Sequence, residues 1–409
     1  MHVMVLGAGV VGTTTAWFLK QAGFDVTIVD RQPAAGMETS FANGGQISVG
    51  QAEPWANPDA PRKIIKWLGH EDAPLLFRLR ADAAQWRWGI RFLLECWPGR
   101  SHRHARELVR LGLESRTELG HLRRSLGLAY CQQTRGILAF FEEKREYQAA
   151  LKTIDWMAEL GCQRRVLGPA EAVALEPALA ACADRILGAV YTTEDESGDA
   201  HQFTQHLAEH AQAAGVRWLL DHHITKLHQH HSRLTGVEVQ HGGQTLLLTA
   251  DAYVVALGSY SPLLLKPLGI RLPIYPVKGY SITLPVGDNP AAPTVSLTDE
   301  SRKLVFSRLG DRLRVAGTAE LNGYDQQLNA VRLQALEQRT LQLFPALQGT
   351  RDIVHWTGLR PATPHNVPFI GPSRLSNLFL NTGHGTLGWT LSCGSAKRLS
   401  ALMSNVLRP

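Results

Sequence analysis

Cysteine is scarce in this 409-residue chain, and Cys96, Cys131, Cys162, Cys182 and Cys393 are odd in number and scattered without a CxxC pair. That excludes a disulfide framework or a cysteine metal site, and reduced thiols of a cytosolic protein are expected. Long apolar runs are also missing. None reaches the roughly 18 residues that cross a bilayer, so no spanning helix is expected. No basic region followed by an apolar stretch and cleavage site opens the chain, so the expected location is cytoplasmic. Strong charge of one sign is absent: 42 basic and 36 acidic residues give +6, and without a recognised binding motif nucleic acid is not an expected partner. Among the 17 histidines, His228, His230 and His231 cluster, without nearby cysteine or acid ligands. They read as a solvated surface, and no metal is expected. No Ser/His/Asp or Cys/His constellation appears. With 44% hydrophobic and 19% charged residues, the chain can bury one large core or two moderate ones.

What is present begins at once. His2–Leu6 (HVMVL) reads as a buried strand and Gly7-Ala8-Gly9-Val10-Val11-Gly12 as a turn. Val11–Ala22 reads as a helix stopped by Gly23, and Asp25–Val29 as a second strand ending at Asp30. This is GxGxxG in its proper context, a βαβ unit of about 30 residues. Gly7 permits the turn, Gly9 lets backbone approach a pyrophosphate, and Gly12 lets helix and strand pack closely. The helix amino terminus offers unpaired N–H groups and partial positive charge to the phosphates. Asp30, 18 residues after Gly12, is placed to accept hydrogen bonds from ribose hydroxyls and disfavours a 2′-phosphate. An adenine dinucleotide is the expected ligand; a glycine turn used only for packing is the alternative.

From Arg62 to Arg106 the chain is basic and rich in tryptophan. Lys63, Lys66, Arg78, Arg80, Arg87 and Arg91 alternate with Trp67, Trp86, Trp88 and Trp97 among aliphatic residues. A membrane interface attracts such helices; the other reading is a helical insertion that covers the active site. Further on, 102–126 and 142–160 look helical, with a strand at Gly136–Phe141 between them. Gly198–Ala214 is a second amphipathic helix. The strands Val216–Leu220, Ile224–Leu227, Gly236–Gln240, Gln244–Thr249 and Tyr253–Leu257 follow, with Gly258 ending the last. Residues 270–321 are again strand-rich. An interleaved α+β chain is expected. A Rossmann-type dinucleotide domain is assembled from 1–48, 198–262 and 356–409, and a second domain from 49–197 and 263–355.

Near the carboxyl end, Leu378–Asn381 is a short strand, Gly383-His384-Gly385-Thr386-Leu387-Gly388 matches GxGxxG again, and Trp389–Val406 is a helix. No further strand and acid follow, so this is not a second Rossmann unit. What remains is a glycine turn aiming N–H groups and a helix amino terminus at something electron-rich. The N1/C2-carbonyl edge of a reduced isoalloxazine is such a target. FAD is therefore expected over NAD.

Five stretches carry a resemblance: VMVLGAGVVGTTTAWFLKQAGFDVTIVDRQ, ETSFANGGQIS (Glu38–Ser48), PVKGYS (Pro276–Ser281), WTGLRPATP (Trp356–Pro364) and NTGHGTLGWTLSCGS (Asn381–Ser395). The chain resembles the D-amino-acid oxidase/glycine oxidase class of FAD-dependent oxidoreductases, and within it the small-subunit family of bacterial D-amino acid dehydrogenases. The resemblance implies a Rossmann-type FAD domain with an antiparallel sheet of the substrate domain covering the flavin. It implies cofactor contacts along the first motif from Val3, Gly7, Ala8, Gly9, Val10, Val11, Gly12, Trp17, Asp30 and Arg31. Ser40, Asn43, Gly44, Gln46 and Ile47 match the segment beside pyrophosphate and flavin. Ile224 matches a backbone contact to adenine, and Gly258, Gly385, Thr386, Leu387 and Gly388 complete the set. ETSFANGG lacks histidine and Thr357-Gly358-Leu359 lacks cysteine, so the FAD should be non-covalent.

In the similar oxidases the arginine of a G-[LF]-R-P pattern holds the substrate carboxylate, which makes Arg360 the expected anchor. Tyr280 and His384 are expected pocket residues with it, and Lys278 either meets the flavin edge or lies in a loop. The implied reaction is oxidative deamination of a D-amino acid, with hydride leaving Cα for flavin N5 and the imino acid hydrolysing to a 2-oxo acid and ammonia. Orientation contributes most, and no general base is required. Electrons pass to a quinone or other non-oxygen acceptor, which favours peripheral contact with the inner face of the cytoplasmic membrane. The alternatives are an oxygen-using oxidase of glycine, sarcosine or proline-like amines, and a non-catalytic flavoprotein component.

Overall fold

The computed structural model describes residues 1–67 and 69–407. β1 (His2–Leu6) and β2 (Asp25–Val29) pair in parallel, His2 opposite Asp25 through Leu6 opposite Val29, linked by α1 (Val10–Gln21). Ala252–Val255 pairs in parallel with the other side of β1, and Leu378–Thr382 in parallel beyond it. Phe369–Pro372 forms one edge of this six-stranded sheet and Arg217–Leu219 the other. The start, middle and end of the chain thus meet in one layer.

The strands are apolar throughout because both faces are covered. Val3, Val5 and Ile28 pack with Phe203 and Trp389, whereas Met4, Leu6 and Val255 pack with Leu227, Val237 and Val239. Each such buried aliphatic side chain contributes roughly 1.5–3 kcal/mol. The second group belongs to an antiparallel meander of His223–His230, Arg233–His241 and Gln244–Leu248.

A second, largely antiparallel sheet runs Val354–Ala362, Tyr275–Pro285, Arg312–Leu321, Leu304–Leu309, Ser296–Asp299, Ile137–Phe141, Gly188–Thr192 and Arg165–Leu167, with Leu75–Phe77 joined to Arg312–Leu321. Its core holds Phe140, Ile282, Phe306 and Phe344. The helix Ala330–Leu343, which the sequence patterns did not disclose, contributes Leu336 to that core and is capped by the Asn329 carboxamide.

Three helices fill the first long connection: α2 (Ala60–Trp67), α3 (Ala83–Glu95) and α4 (Pro98–Leu126). The Asp82 carboxylate accepts the Ala84 N–H and starts α3, and Gly127, at φ +64°, ends α4. α4 packs on the last helix, Gly388–Leu407, where Arg398 pairs with Glu114 and Glu107. The stretch 142–160, expected as one helix, divides into α5 (Lys144–Leu151) and α6 (Ile154–Glu159). The Thr153 hydroxyl donates to the Ala150 carbonyl at 2.7 Å, a local bond that competes with helix continuation.

Candidate active site

The first glycine turn is built by close approach. Gly7 has φ +109°, and a Cβ there would lie 2.7 Å from the Ala256 carbonyl oxygen. A Cβ on Gly12 would lie 1.8 Å from the Gly7 carbonyl oxygen, so only glycine lets α1 start this near β1. Asp30 corrects part of the sequence reading. Its Oδ2 accepts the Ala8 N–H at 2.6 Å and its Oδ1 the Gln32 N–H at 2.8 Å. It therefore braces the turn before it meets any ribose, although each oxygen keeps a second lone pair. Burial raises its pKa against these two backbone bonds. Arg31 lies 4.2 Å from the Tyr260 ring centre and pairs with Glu38 at 2.6 Å. The Ser40 hydroxyl accepts the Val10 N–H at 3.0 Å, occupying one amide of the first turn of α1.

Between the two sheets lies a continuous cavity of about 1200 Å³. Gly7, Gly9, Val10, Val11, Asp30, Arg31, Ser40, Asn43, Gly44, Gln46, Ile224 and Gly258 line it, as do Gly385, Thr386, Leu387 and Gly388 at the start of the last helix. Arg360, Tyr280 and His384 line it as well. Residues far apart in sequence thus surround one space. Ala8 and Gly12 shape the turn without reaching the cavity wall. Val3, Trp17 and Ile47 do not face it either: all three are buried in the core of the nucleotide layer, Val3 inside β1, Trp17 on α1, and Ile47 in a short strand opposite Glu196. Their place in the motifs reflects packing. The Gln46 amide is tied to Ser296 Oγ at 3.0 Å and the Leu297 carbonyl at 3.2 Å.

Arg360 is the centre of the cavity's electrostatics. It stands on Val354–Ala362 opposite Val277, with its guanidinium over Gly279, where a Cβ would lie 2.2 Å from Cζ. Nη1 donates to the Thr318 carbonyl at 2.8 Å and Nη2 to the Gly317 carbonyl at 3.3 Å. The accessible part of its side chain faces the cavity, not bulk water, and no carboxylate pairs with it among the described residues. Burial, helped by the like charge of Arg332, lowers its pKa to about 10, so it remains a cation at neutral pH.

Thr318 is the residue that the sequence reading missed. Lys278 opposes Glu320 but Tyr280 opposes Gly317, so the Arg312–Leu321 strand carries one extra residue, a bulge. Within it Thr318 has φ +52°, a strain of about 1–3 kcal/mol for a β-branched residue. The strain turns its carbonyl onto Arg360, and its buried hydroxyl has no hydrogen-bond partner. The only sequence signal is a glycine, Gly317, inside a strand-like run.

Tyr280 and His384 line the cavity, and the polar atoms of both are already engaged. The Tyr280 hydroxyl donates to the Glu320 carboxylate. Burial, then that bond, pushes the phenol far above its usual range, so Tyr280 offers the cavity its ring and not a free proton. His384 Nε2 lies 3.0 Å from Ser395 Oγ, and burial lowers its pKa to about 3. It is a neutral hydrogen-bonding group, not a proton carrier. Lys278 turns away from the cavity to Asp325 at 2.5 Å and the Gln327 carbonyl at 3.1 Å.

Comparison with known proteins agrees with this architecture. The DAO family, described as FAD-dependent oxidoreductases, matches residues 2–402. The D-amino acid dehydrogenase of Dechloromonas aromatica (strain RCB) is 57% identical over 405 residues, covering 99% of this chain and 97% of that protein. The D-amino acid dehydrogenase of Paramagnetospirillum magneticum is 50% identical, covering 99% and 95%. Among solved structures, glycine oxidase from Bacillus cereus ATCC 14579 superposes with TM-score 0.75 at 22% identity over 99% of this chain and 95% of that one. L-proline dehydrogenase from P. horikoshii gives TM-score 0.76 at 16% identity over 99% and 93%. The structural likenesses establish the shared α+β fold.

Proposed function

Because this chain belongs to the family of FAD-dependent oxidoreductases, we propose that its cavity holds FAD and oxidises D-amino acids to 2-oxo acids and ammonia. Arg360 carries the reading: an enclosed cation held by two carbonyls, with no carboxylate beside it among the described residues and another guanidinium nearby. A buried charge without a counter-ion is costly, and a planar α-carboxylate is the bidentate partner that a guanidinium fits. The curated relatives named D-amino acid dehydrogenase support the substrate class.

The residues that would hold FAD are Gly9, Val11 and Ser40 at the pyrophosphate, Asp30 at a ribose, Ile224 at the adenine, and Gly44 with Gly385–Gly388 at the isoalloxazine. None of the five cysteines is at the cavity wall among the described residues, which supports non-covalent binding. Bound FAD supplies the hydride acceptor. The protein's part is placement: Arg360 fixes the carboxylate, the Thr318 and Gly317 carbonyls fix Arg360, and the tight walls aim Cα–H. The amine gives its proton to water as it binds, since neither His384 nor Tyr280 can take it. Anaerobic mixing of the yellow holoprotein with paired D- and L-amino acids tests this. Bleaching by D isomers alone supports the reading; bleaching by L isomers alone, or by neither, refutes it. Acid or heat should release free FAD.

A quinone or other non-oxygen carrier is the proposed acceptor, reached by peripheral docking on the inner face of the cytoplasmic membrane. Among the described residues no helix is long and apolar enough to cross a membrane. α3 nevertheless turns Trp86, Ile90, Leu93 and Leu94 outward, with Trp97 just beyond it 74% exposed. Arg87 and Arg91 are exposed beside them. Each cation near an anionic surface contributes about 1 kcal/mol, screened by salt. Flotation with anionic liposomes at low salt tests docking; protein left wholly in the soluble fraction refutes it.

A further inference from the structure

The segment Ala42–Gly44, just after the Ser40 contact to α1, is held by three side chains of the second sheet. Ser281 Oγ donates to the Ala42 carbonyl at 2.8 Å, Arg314 Nη1 to the Asn43 carbonyl at 3.1 Å and Ser307 Oγ to the Gly44 carbonyl at 2.8 Å. The donors stand on three neighbouring strands, with Ser307 directly opposite Arg314. Three successive carbonyls thus face the sheet. In a planar trans peptide the N–H points opposite to the carbonyl before it, and no peptide here is cis. The N–H groups of Asn43, Gly44 and Gly45 therefore turn away from the sheet. The Asn43 carboxamide oxygen accepts that of Gly45 at 2.9 Å. Those of Asn43 and Gly44 have no acceptor among the described residues, and both residues line the cavity. At Gly44 a Cβ would lie 2.5 Å from Val305 Cγ2, so glycine lets the segment lie flat on the sheet.

Arg314 brings a charge as well as a donor. Its side chain is buried, its Nε donates to Thr283 Oγ1 at 2.7 Å, and among the described residues no carboxylate pairs with it. Asp199, whose field it feels, pairs instead with Arg312 at 3.1 Å. Burial lowers the Arg314 pKa to about 10, which leaves it a cation at neutral pH. Holding a carbonyl needs no charge, since Ser281 and Ser307 do so with hydroxyls. Hydride arriving from Cα carries two electrons and one proton, so the cofactor gains a negative charge unless it takes a second proton from solvent. We infer that Arg314 is a positioning residue for the cofactor: it holds the Asn43 and Gly44 N–H groups out as donors to the isoalloxazine, and its buried charge favours the reduced, more negative form. The inference rests on the proposed placing of FAD in this cavity with Gly44 at the isoalloxazine.

The test is the midpoint potential of the FAD-loaded holoprotein, read by equilibration with a reference dye and without any amino acid. Arg314→Gln keeps a donor for the Asn43 carbonyl and drops the charge. It should lower the potential by at least about 30 mV, a tenfold loss of preference for the reduced cofactor in a two-electron couple. Arg314→Lys, which keeps the charge, should restore most of that fall. Ser307→Ala, which removes a carbonyl donor and no charge, should leave the potential near that of the wild type while FAD is lost more readily on dilution. An unchanged potential in Arg314→Gln overturns the inference and makes the residue a strut of the loop. A fall of the same size in Ser307→Ala overturns it too, even if the glutamine variant fails to fold. A wild-type flavin that no D-amino acid reduces would instead refute the proposed oxidation, and a wild-type protein that holds no flavin would refute the placing of FAD.

Discussion

Replacing Arg360 separates binding from folding, because the residue's own interactions favour the substrate complex over the free protein. In the free protein its guanidinium donates to only two carbonyls, at 2.8 and 3.3 Å, and feels Arg332 as a like charge. Arg360→Met removes that repulsion and the desolvation cost of the cation. Against this, two carbonyls lose donors, at about 1–3 kcal/mol each where water cannot reach; these border the cavity and can be rehydrated. The terms oppose, so thermal stability and FAD content should change little. Binding loses a desolvated charge pair, about 2–4 kcal/mol within the range measured for such pairs. At 1.4 kcal/mol per decade that is roughly a 30- to 1000-fold fall in kcat/KM, read mainly in KM. Arg360→Lys keeps the charge but not the fork, and should fall between. Steady-state dye reduction with D-alanine, alongside the melting temperature and flavin content, reads all three quantities. An Arg360→Met enzyme with wild-type KM refutes the reasoning. Lost flavin with a collapsed melting temperature would show that the residue holds the fold instead.

Three further outcomes follow from the same geometry. Thr318→Gly removes a positive-φ strain of about 1–3 kcal/mol and should leave stability equal or higher, yet raise KM several-fold more than it lowers kcat because Arg360 loses its fixed acceptor; equal effects on both constants would contradict a positioning role. Tyr280→Phe leaves the buried Glu320 carboxylate with Arg78 and Lys278 only, costing about 1–3 kcal/mol in urea unfolding with kcat/KM within a few-fold; a large loss of kcat without loss of stability would return the hydroxyl to catalysis. Since burial lowers the cation's pKa to about 10, Arg360 is charged below that pH and neutral above it. Binding of a 2-oxo acid, followed by flavin difference spectra, should hold steady near neutrality and fall above about pH 10, with no inflection from His384, which is neutral down to about pH 3.

What the sequence disclosed depended on the distance over which the information was stored. β1, α1 and β2 were legible to within a residue because turn glycines, apolar alternation and helix stop all lie inside 30 residues. The Gly383–Gly388 turn was legible for the same reason. Motif membership was a poorer guide to exposure: Val3, Trp17 and Ile47 stand in matching stretches, yet their side chains complete the core. Thr318 was illegible because its backbone follows from a register shift between strands some 40 residues apart. The committed states of Tyr280 and His384 were hidden likewise, since Glu320 and Ser395 become their partners only after folding.

The charges behind Arg360 show why the cavity wall selects a carboxylate. Arg78 pairs with Glu71 and Glu320, and Lys278 with Asp325 and Glu320. Arg332 is buried against the Glu71, Ala73 and Ala319 carbonyls and shares the field of Glu320. The carboxylates of this network are Glu71, Glu320 and Asp325; its cations are Arg78, Lys278, Arg332 and Arg360. Among the described residues one positive charge remains over, and the geometry assigns it to Arg360, the member that faces the cavity. A neutral amine or an alcohol would leave the excess uncompensated, whereas one α-carboxylate cancels it. The excess therefore discriminates by charge before any side-chain contact, and Glu320→Gln should test it. With a second cation uncovered, the wall should bind a 2-oxo acid more tightly while Tyr280 keeps an amide acceptor. Weaker binding of the 2-oxo acid in that variant would mean that the network fixes the position of Arg360 and does not set its charge.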